Sequence, residues 1–285
     1  KNRDTSVRRA IFETIFFIVN ALIFSGFIYW FYDTSLVDNV NNLEPAQAVV
    51  KYLTGYIIEL SLSVDNLFVI AIIFTSFKIP RQYQHNLLFL GILGAIIFRA
   101  ILISVGLILI NKIHGMNIVF GLFLLFTAIK MLKKEAEHKE VKEPKGIIKL
   151  FRFSNELHDG KYITKVNRKT VFTTLFGALI TIELTDLLFA LDSIPAIFAV
   201  TTDPFIVFSS NIFAVMGLRS LYFFLSNMLD KFVYLKYSVF AILLFVSLKL
   251  MTASLIEIPE WFSLLFIGIS LLSGIYISTI NIKNK

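Results

Sequence analysis

Residues 183–201 read E-L-T-D-L-L-F-A-L-D-S-I-P-A-I-F-A-V-T, an apolar run that nevertheless carries Glu183, Asp186 and Asp192. An isolated charge in lipid costs about 2.5–3.5 kcal/mol on insertion scales, so three acids in one such run require either partners or a function. An earlier stretch, residues 59–75, repeats the pattern as E-L-S-L-S-V-D-N-L-F-V-I-A-I-I-F-T. Aligned, the two give acid, five residues, Asp, then Asn or Ser: Glu59, Asp65 and Asn66 against Asp186, Asp192 and Ser193. The correspondence continues down the chain. Arg99 and Lys130 lie in the next two apolar segments after the first run, and Arg219 and Lys249 in the next two after the second.

The composition places these runs in a bilayer. The chain is 56% hydrophobic and only 16% charged over 285 residues, with 30 Phe and a mean hydropathy of +0.76; a soluble surface needs more charge than that. There is no cysteine, which excludes disulfides and thiolate metal sites within these residues. The first residue is Lys1 rather than Met, and an upstream segment is expected.

A spanning helix takes about 20 apolar residues. Eight segments qualify: 10–32, 49–77, 87–110, 116–132, 171–200, 204–228, 237–255 and 261–280. The expected fold is thus all-α and transmembrane, with about eight spanning helices. With eight crossings, 21 of the 27 Lys and Arg residues fall on one side, only Lys51 and Lys112 on the other, and four within the spans. Positive residues accumulate in the cytoplasm, so both visible termini are expected there. The same bias accounts for the net charge of +7 without nucleic acid as a partner.

The two runs each open a three-helix unit, and an odd number of crossings turns the second copy upside down. The chain therefore divides into a first helix and external loop (1–48), repeat 1 (49–132), a charged cytoplasmic loop (133–169), repeat 2 (170–256) and a last helix with tail (257–285). Inverted repeats recur in secondary transporters, which hold substrate near mid-membrane where the copies meet. Helix geometry adds a condition. Residues six or nine apart diverge by about 120° or 180°, so convergence of Glu59 with Asp65, and of Glu183 with Asp192, calls for broken helices. Pro195, which removes a backbone donor, is the expected break in the second copy.

Carboxylates, an Asn amide and Ser hydroxyls are hard oxygen ligands, suited to Mn²⁺, Ca²⁺ or Mg²⁺ rather than to Zn²⁺ or Cu⁺. Alternatively the acids are structural ion pairs with Arg99, Arg219, Lys130 and Lys249, of which Lys130, near a helix end, is placed to snorkel. No H-E-x-x-H, Walker or G-x-S-x-G motif points to an enzyme.

The runs at Glu59–Val69, Glu183–Thr201 and D-P-F-I-V-F-S-S-N-I-F-A-V-M-G-L-R-S-L-Y-F at Asp203–Phe223 resemble the TerC family, and within it the bacterial Alx-type branch. The resemblance implies an integral membrane protein of seven to nine helices linked to tellurium resistance, with manganese export as its activity. By position it assigns Glu59, Asp65, Glu183, Asp186 and Asp192 to a metal site, with Asn66 and Ser193 as neutral ligands. Mn²⁺ is then a transported substrate and not a resident cofactor, and the location is a bacterial inner membrane. Two alternatives accompany this reading: transport of Ca²⁺ or Mg²⁺, and a membrane scaffold for protein assembly, as plastid relatives suggest. Proton exchange is a further expectation. Oligomeric state is not legible.

Overall fold

Two helix starts are written as an acid followed by proline. At Glu44-Pro45 a capping box forms between Glu44 and Gln47, with Pro45 in the first turn, where its missing N–H costs nothing. At Asp203-Pro204 the Asp203 carboxylate accepts from the N–H groups of Phe205 (3.1 Å) and Ile206 (3.2 Å), satisfying two donors that a helix start leaves free.

The computed structural model of the chain describes residues 2–133, 153–154, 160–166, 169–225, 234–253, 255–256 and 258–283. Among these are eight helices: α1 (Asn2–Asp33), α2 (Pro45–Ser76), α3 (Arg81–Lys112), α4 (Met116–Lys133), α5 (Thr174–Phe198), α6 (Pro204–Leu225), α7 (Leu235–Thr252) and α8 (Glu260–Lys283). Five of them are long and apolar enough to cross a membrane, over Arg8–Asp33, Arg81–Lys112, Thr174–Phe198, Pro204–Phe224 and Trp261–Ile280. Of the other three, α4 and α7 are 18 residues long, and α2 carries Lys51, Glu59 and Asp65.

Two expectations change. First, α2 and α5 are each continuous, without the break that convergence of their acids required. Pro195 lies in the last turn before α5 ends at Phe198; its missing N–H takes one bond from the carbonyl four residues back without interrupting the helix. Second, the stretch expected as a solvated loop up to residue 169 contains part of a small sheet. Strands β1 (Phe153–Ser154), β2 (Ile163–Val166) and β3 (Lys169–Thr173) are ordered β1-β3-β2. β2 and β3 form an antiparallel hairpin pairing Ile163 with Phe172 and Val166 with Lys169. β3 runs into α5, so residues 171–173, expected as span, are strand. Loop residues 134–152, 155–159, 167 and 168, and those at 226–233, lie outside the described residues.

α2 is the hub, packing against α1, α5, α6, α7 and α8, while α3 packs on α5 and α6, and α4 on α7. Exchanging α2, α3, α4 with α5, α6, α7 maps the main contacts among these six helices onto one another: the α2–α6 contact becomes α5–α3, and the α2–α5, α3–α6 and α4–α7 contacts are unchanged, whereas the packing of α2 on α1 and α8 has no counterpart at α5. α2 and α5 run antiparallel, since Lys51 Nζ donates to Val200 O (2.9 Å) while Glu59, two turns on, sits with the earlier α5 residues. α4 and α7 approach closely at Gly121, whose carbonyl accepts from Ser247 Oγ (2.9 Å) and where a Cβ would overlap Met251. The α1–α2 and α5–α6 connections share one end of the bundle, where Asn41 reaches Thr202. The α2–α3 turn and the sheet share the other, where Gly160 lies against Tyr83.

The bundle is apolar outside and carries buried charged and amide groups within an otherwise apolar interior. Phe12, Phe16, Ile23 and Phe27 of α1, Ile97 and Ile101 of α3, and Leu265, Ile269 and Leu272 of α8 are exposed, whereas Glu59, Ser63, Asn66, Arg99, Ser193 and Asn211 are buried. That inverts the soluble arrangement and is what a hydrocarbon solvent selects.

Candidate functional site

The buried polar groups around Arg99 form a layer between two apolar ones. On the side of the α1–α2 loop stand Ile58, Ile103, Ile194, Ile197 and Phe198; on the side of the sheet stand Leu67, Leu87, Ala95, Ile182 and Val215. Arg99 of α3, 2% exposed, is the centre of the layer. Its Nη1 donates to Glu59 Oε1 of α2, to Asn211 Oδ1 of α6 (3.2 Å) and to Ser193 Oγ of α5 (3.4 Å). Its Nη2 donates to Asp186 Oδ1 of α5 (3.3 Å). One guanidinium therefore ties an acid of α2 to an acid of α5. Ser63, one turn from Glu59, donates to the same Oε1 at 3.1 Å.

The tie is incomplete. Among the described residues Glu59 Oε2, Asp186 Oδ2, Glu183 Oε2 and Arg99 Nε are all buried with no hydrogen-bond partner, an expensive state for polar atoms. Glu183, one turn before Asp186 on the same face of α5, lies against Gly94, where a Cβ would overlap its carboxylate. The glycine is the space the acid occupies. Asn66 is buried in α2.

The backbones of Asp65 and Asp192 belong to α2 and α5, but their side chains lie outside the described residues. Among the described residues no three acidic or histidine side chains are grouped closely enough to hold a metal ion, because Arg99 stands between Glu59 and Asp186. Of the other expected ion-pair partners, Arg219 lines a cavity of about 30 Å³ with Asp186, Gly91 and Ala95, a space for about one water. Lys249 is buried and donates to Ser263 Oγ (3.0 Å). Lys130 is not in the polar layer: it is exposed, 6.0 Å from the Phe126 ring, and makes no ion pair among the described residues, as a snorkelling lysine does.

Asn211 is the residue that sequence reasoning passed over. It sits in the quoted S-S-N run, and a buried amide in an apolar span was the available signal. Beyond the apolar layer on the α1–α2 side opens a cavity of about 690 Å³, lined by Gln47, Lys51, Ala199, Lys249, Ala253 and Trp261 among others.

Comparison with known proteins bears on what this arrangement does. Residues 44–285 match the model of the integral membrane protein TerC family. The chain is 41% identical to an uncharacterized membrane protein of Rickettsia felis, over 98% of this chain and 90% of the relative. It is 37% and 38% identical to proteins of Photorhabdus laumondii and Salmonella typhi, each named as a candidate membrane-bound redox modulator, Alx. Those two matches cover 91% of this chain and 81% and 80% of the relatives. No solved structure matches.

Proposed function

From the premise that the chain belongs to the TerC family of multi-pass integral membrane proteins, we propose that it is a secondary transporter exporting a divalent cation, with Mn²⁺ the best fit. The observation that carries this reading is the polar layer, in which acids from two similar three-helix units meet, sealed by apolar residues above and below. Hard oxygen donors fit Mn²⁺, Ca²⁺ or Mg²⁺, and opening one apolar layer at a time would admit the ion from one side and release it on the other. Glu59 and Asp186 would bind the ion, with Ser193 and Asn211 as neutral oxygen donors, and Glu183, Asp65, Asp192 and Asn66, which continuous helices do not bring to the same point, would take it up along its path. Among the described side chains Glu59, Glu183 and Asp186 against Arg99 and Arg219 leave a formal charge of −1, and Asp65 and Asp192 on the same two helices would add to it, negative charge to spare for a cation.

The exchange symmetry of the helix contacts supports the inverted repeat and with it eight spans. The cation bias supports cytoplasmic termini in a bacterial inner membrane. The name carried by the Alx relatives enters here as well. With no cysteine in the chain, a redox role would run through the redox-active metal it moves rather than through thiols.

Everted vesicles loaded with a Mn²⁺-sensitive dye test the reading. Wild type should accumulate Mn²⁺, and Glu59→Gln, Asp65→Asn, Asp186→Asn and Asp192→Asn should each reduce uptake at least about tenfold, the scale of losing one buried charged ligand. Unchanged uptake in all four would refute export. One observation favours the second reading, a non-transporting scaffold: two cavities that Arg99 and Asp186 line among the described residues hold no more than about 30 Å³. A scaffold would show no flux of Mn²⁺, Ca²⁺ or Mg²⁺ in any variant.

A further inference from the structure

We propose that Arg99 is a tethered counter-cation: in the cargo-free carrier its guanidinium occupies the place of the transported ion, and ion binding must displace it. The inference rests on the transport reading and adds the identity of the competitor.

The geometry argues it in three steps. The guanidinium is surrounded by Glu59, Asp186, Ser193 and Asn211, contributed by three helices. Two carboxylates, a hydroxyl and an amide oxygen are the donor set of a hard divalent cation. An ion bound at about 2.1–2.6 Å from these oxygens would overlap nitrogens already within hydrogen-bond distance of them, so the two occupants exclude each other. Second, Arg99 uses the cage poorly. A structural Arg–carboxylate pair is commonly bidentate, whereas here each acid offers one oxygen, and Glu59 Oε2, Asp186 Oδ2 and Arg99 Nε stay buried and unpartnered. A divalent ion would take up the idle oxygens. Third, an empty site with bare carboxylates would be held between two apolar layers, an arrangement buried charge strongly disfavours. With Arg99 in place, the empty carrier closes and returns without a second ion.

Displacement has a measurable signature. If the Arg-out form is a minor population, the apparent affinity for the ion is reduced by that fraction. Removing the guanidinium should therefore tighten binding while impairing the empty return. Isothermal titration of the purified protein with MnCl₂ in detergent, and proteoliposomes assayed both for net Mn²⁺ flux and for isotopic Mn²⁺ exchange, separate the two effects, because exchange never requires an empty return. Arg99→Gln should bind Mn²⁺ at least about tenfold more tightly, keep exchange, and lose most net flux. Arg99→Lys, which restores a positive charge, should recover part of the net flux.

Affinity that falls or stays level in a monodisperse Arg99→Gln protein overturns the proposal, as does loss of exchange together with net flux, which would make Arg99 a scaffold of the binding site. Should Arg99→Gln not yield folded protein, Arg99→Lys decides. A shorter point charge reaches fewer of the four oxygens, so affinity should rise several-fold, and an unchanged or weaker affinity overturns the idea. A wild-type protein that neither binds nor moves Mn²⁺ fails the transport reading itself, independently of Arg99.

Discussion

At the scale of the residue, Gly94 and Glu183 make the most direct claim, because the carboxylate fills the volume a methyl would need. Gly94→Ala forces the acid or the α3–α5 contact to move, and overpacking of this kind costs about 1–3 kcal/mol. The purified variant should melt several degrees lower in detergent, and Gly94→Ala combined with Glu183→Ala should recover much of the loss. Additivity of the two would show that they do not touch. Glu59 and Arg99 were recognisable from the sequence, since an ionisable residue inside an apolar span is rare enough to be a signal by itself. Their mutual contact was one of several open pairings, and Gly94 carried no signal at all: its meaning is a close approach between two helices far apart in sequence, visible only once both are packed.

At the scale of the element, the continuity of α5 separates two accounts of how its acids converge. A helix unwound at Pro195 would depend on that proline, and Pro195→Ala would rebuild the missing bond and abolish flux. In the continuous helix Pro195 sits in the terminal turn, so Pro195→Ala should leave Mn²⁺ uptake within about twofold of wild type, while the loss of buried ring carbons should cost about 1–2 kcal/mol of stability. Uptake in everted vesicles checks the first, a thermal melt the second. The expectation of a break has a physical origin. Rotation by about 100° per residue demands one only if all five acids face a single point, whereas a long arginine from α3 reaches across to acids on two other helices. Most helix starts were legible to within a few residues from the apolar runs alone, and the acid–proline pairs at Glu44 and Asp203 are a local capping trace that the hydropathy reading did not use. β3 left none that could be separated from the apolar run it enters. Val171 and Phe172 suit either a strand or a span by composition, and only β2 pairing beside them decides.

At the scale of the whole molecule, the inverted repeat requires α2, α4 and α7 to cross the membrane along with the five helices that plainly can. It stands or falls with them, since three crossings per copy are what reverse the second. The absence of cysteine makes the test clean. Asn42 and Gln82 flank α2, Asn111 and Lys161 flank α4, and Tyr234 and Ala253 flank α7; all six are exposed. Single substitutions Asn42→Cys, Asn111→Cys and Ala253→Cys should react with an impermeant maleimide in intact cells. Gln82→Cys, Lys161→Cys and Tyr234→Cys should react only in everted vesicles, because lysines and arginines gather on that side. A pair labelled from the same face would remove its helix from the set of spans, restore parallel orientation to the two units, and leave Glu59 and Asp186 without the opposed halves that alternating access requires. Reversal of all six would keep the fold and invert the direction of transport.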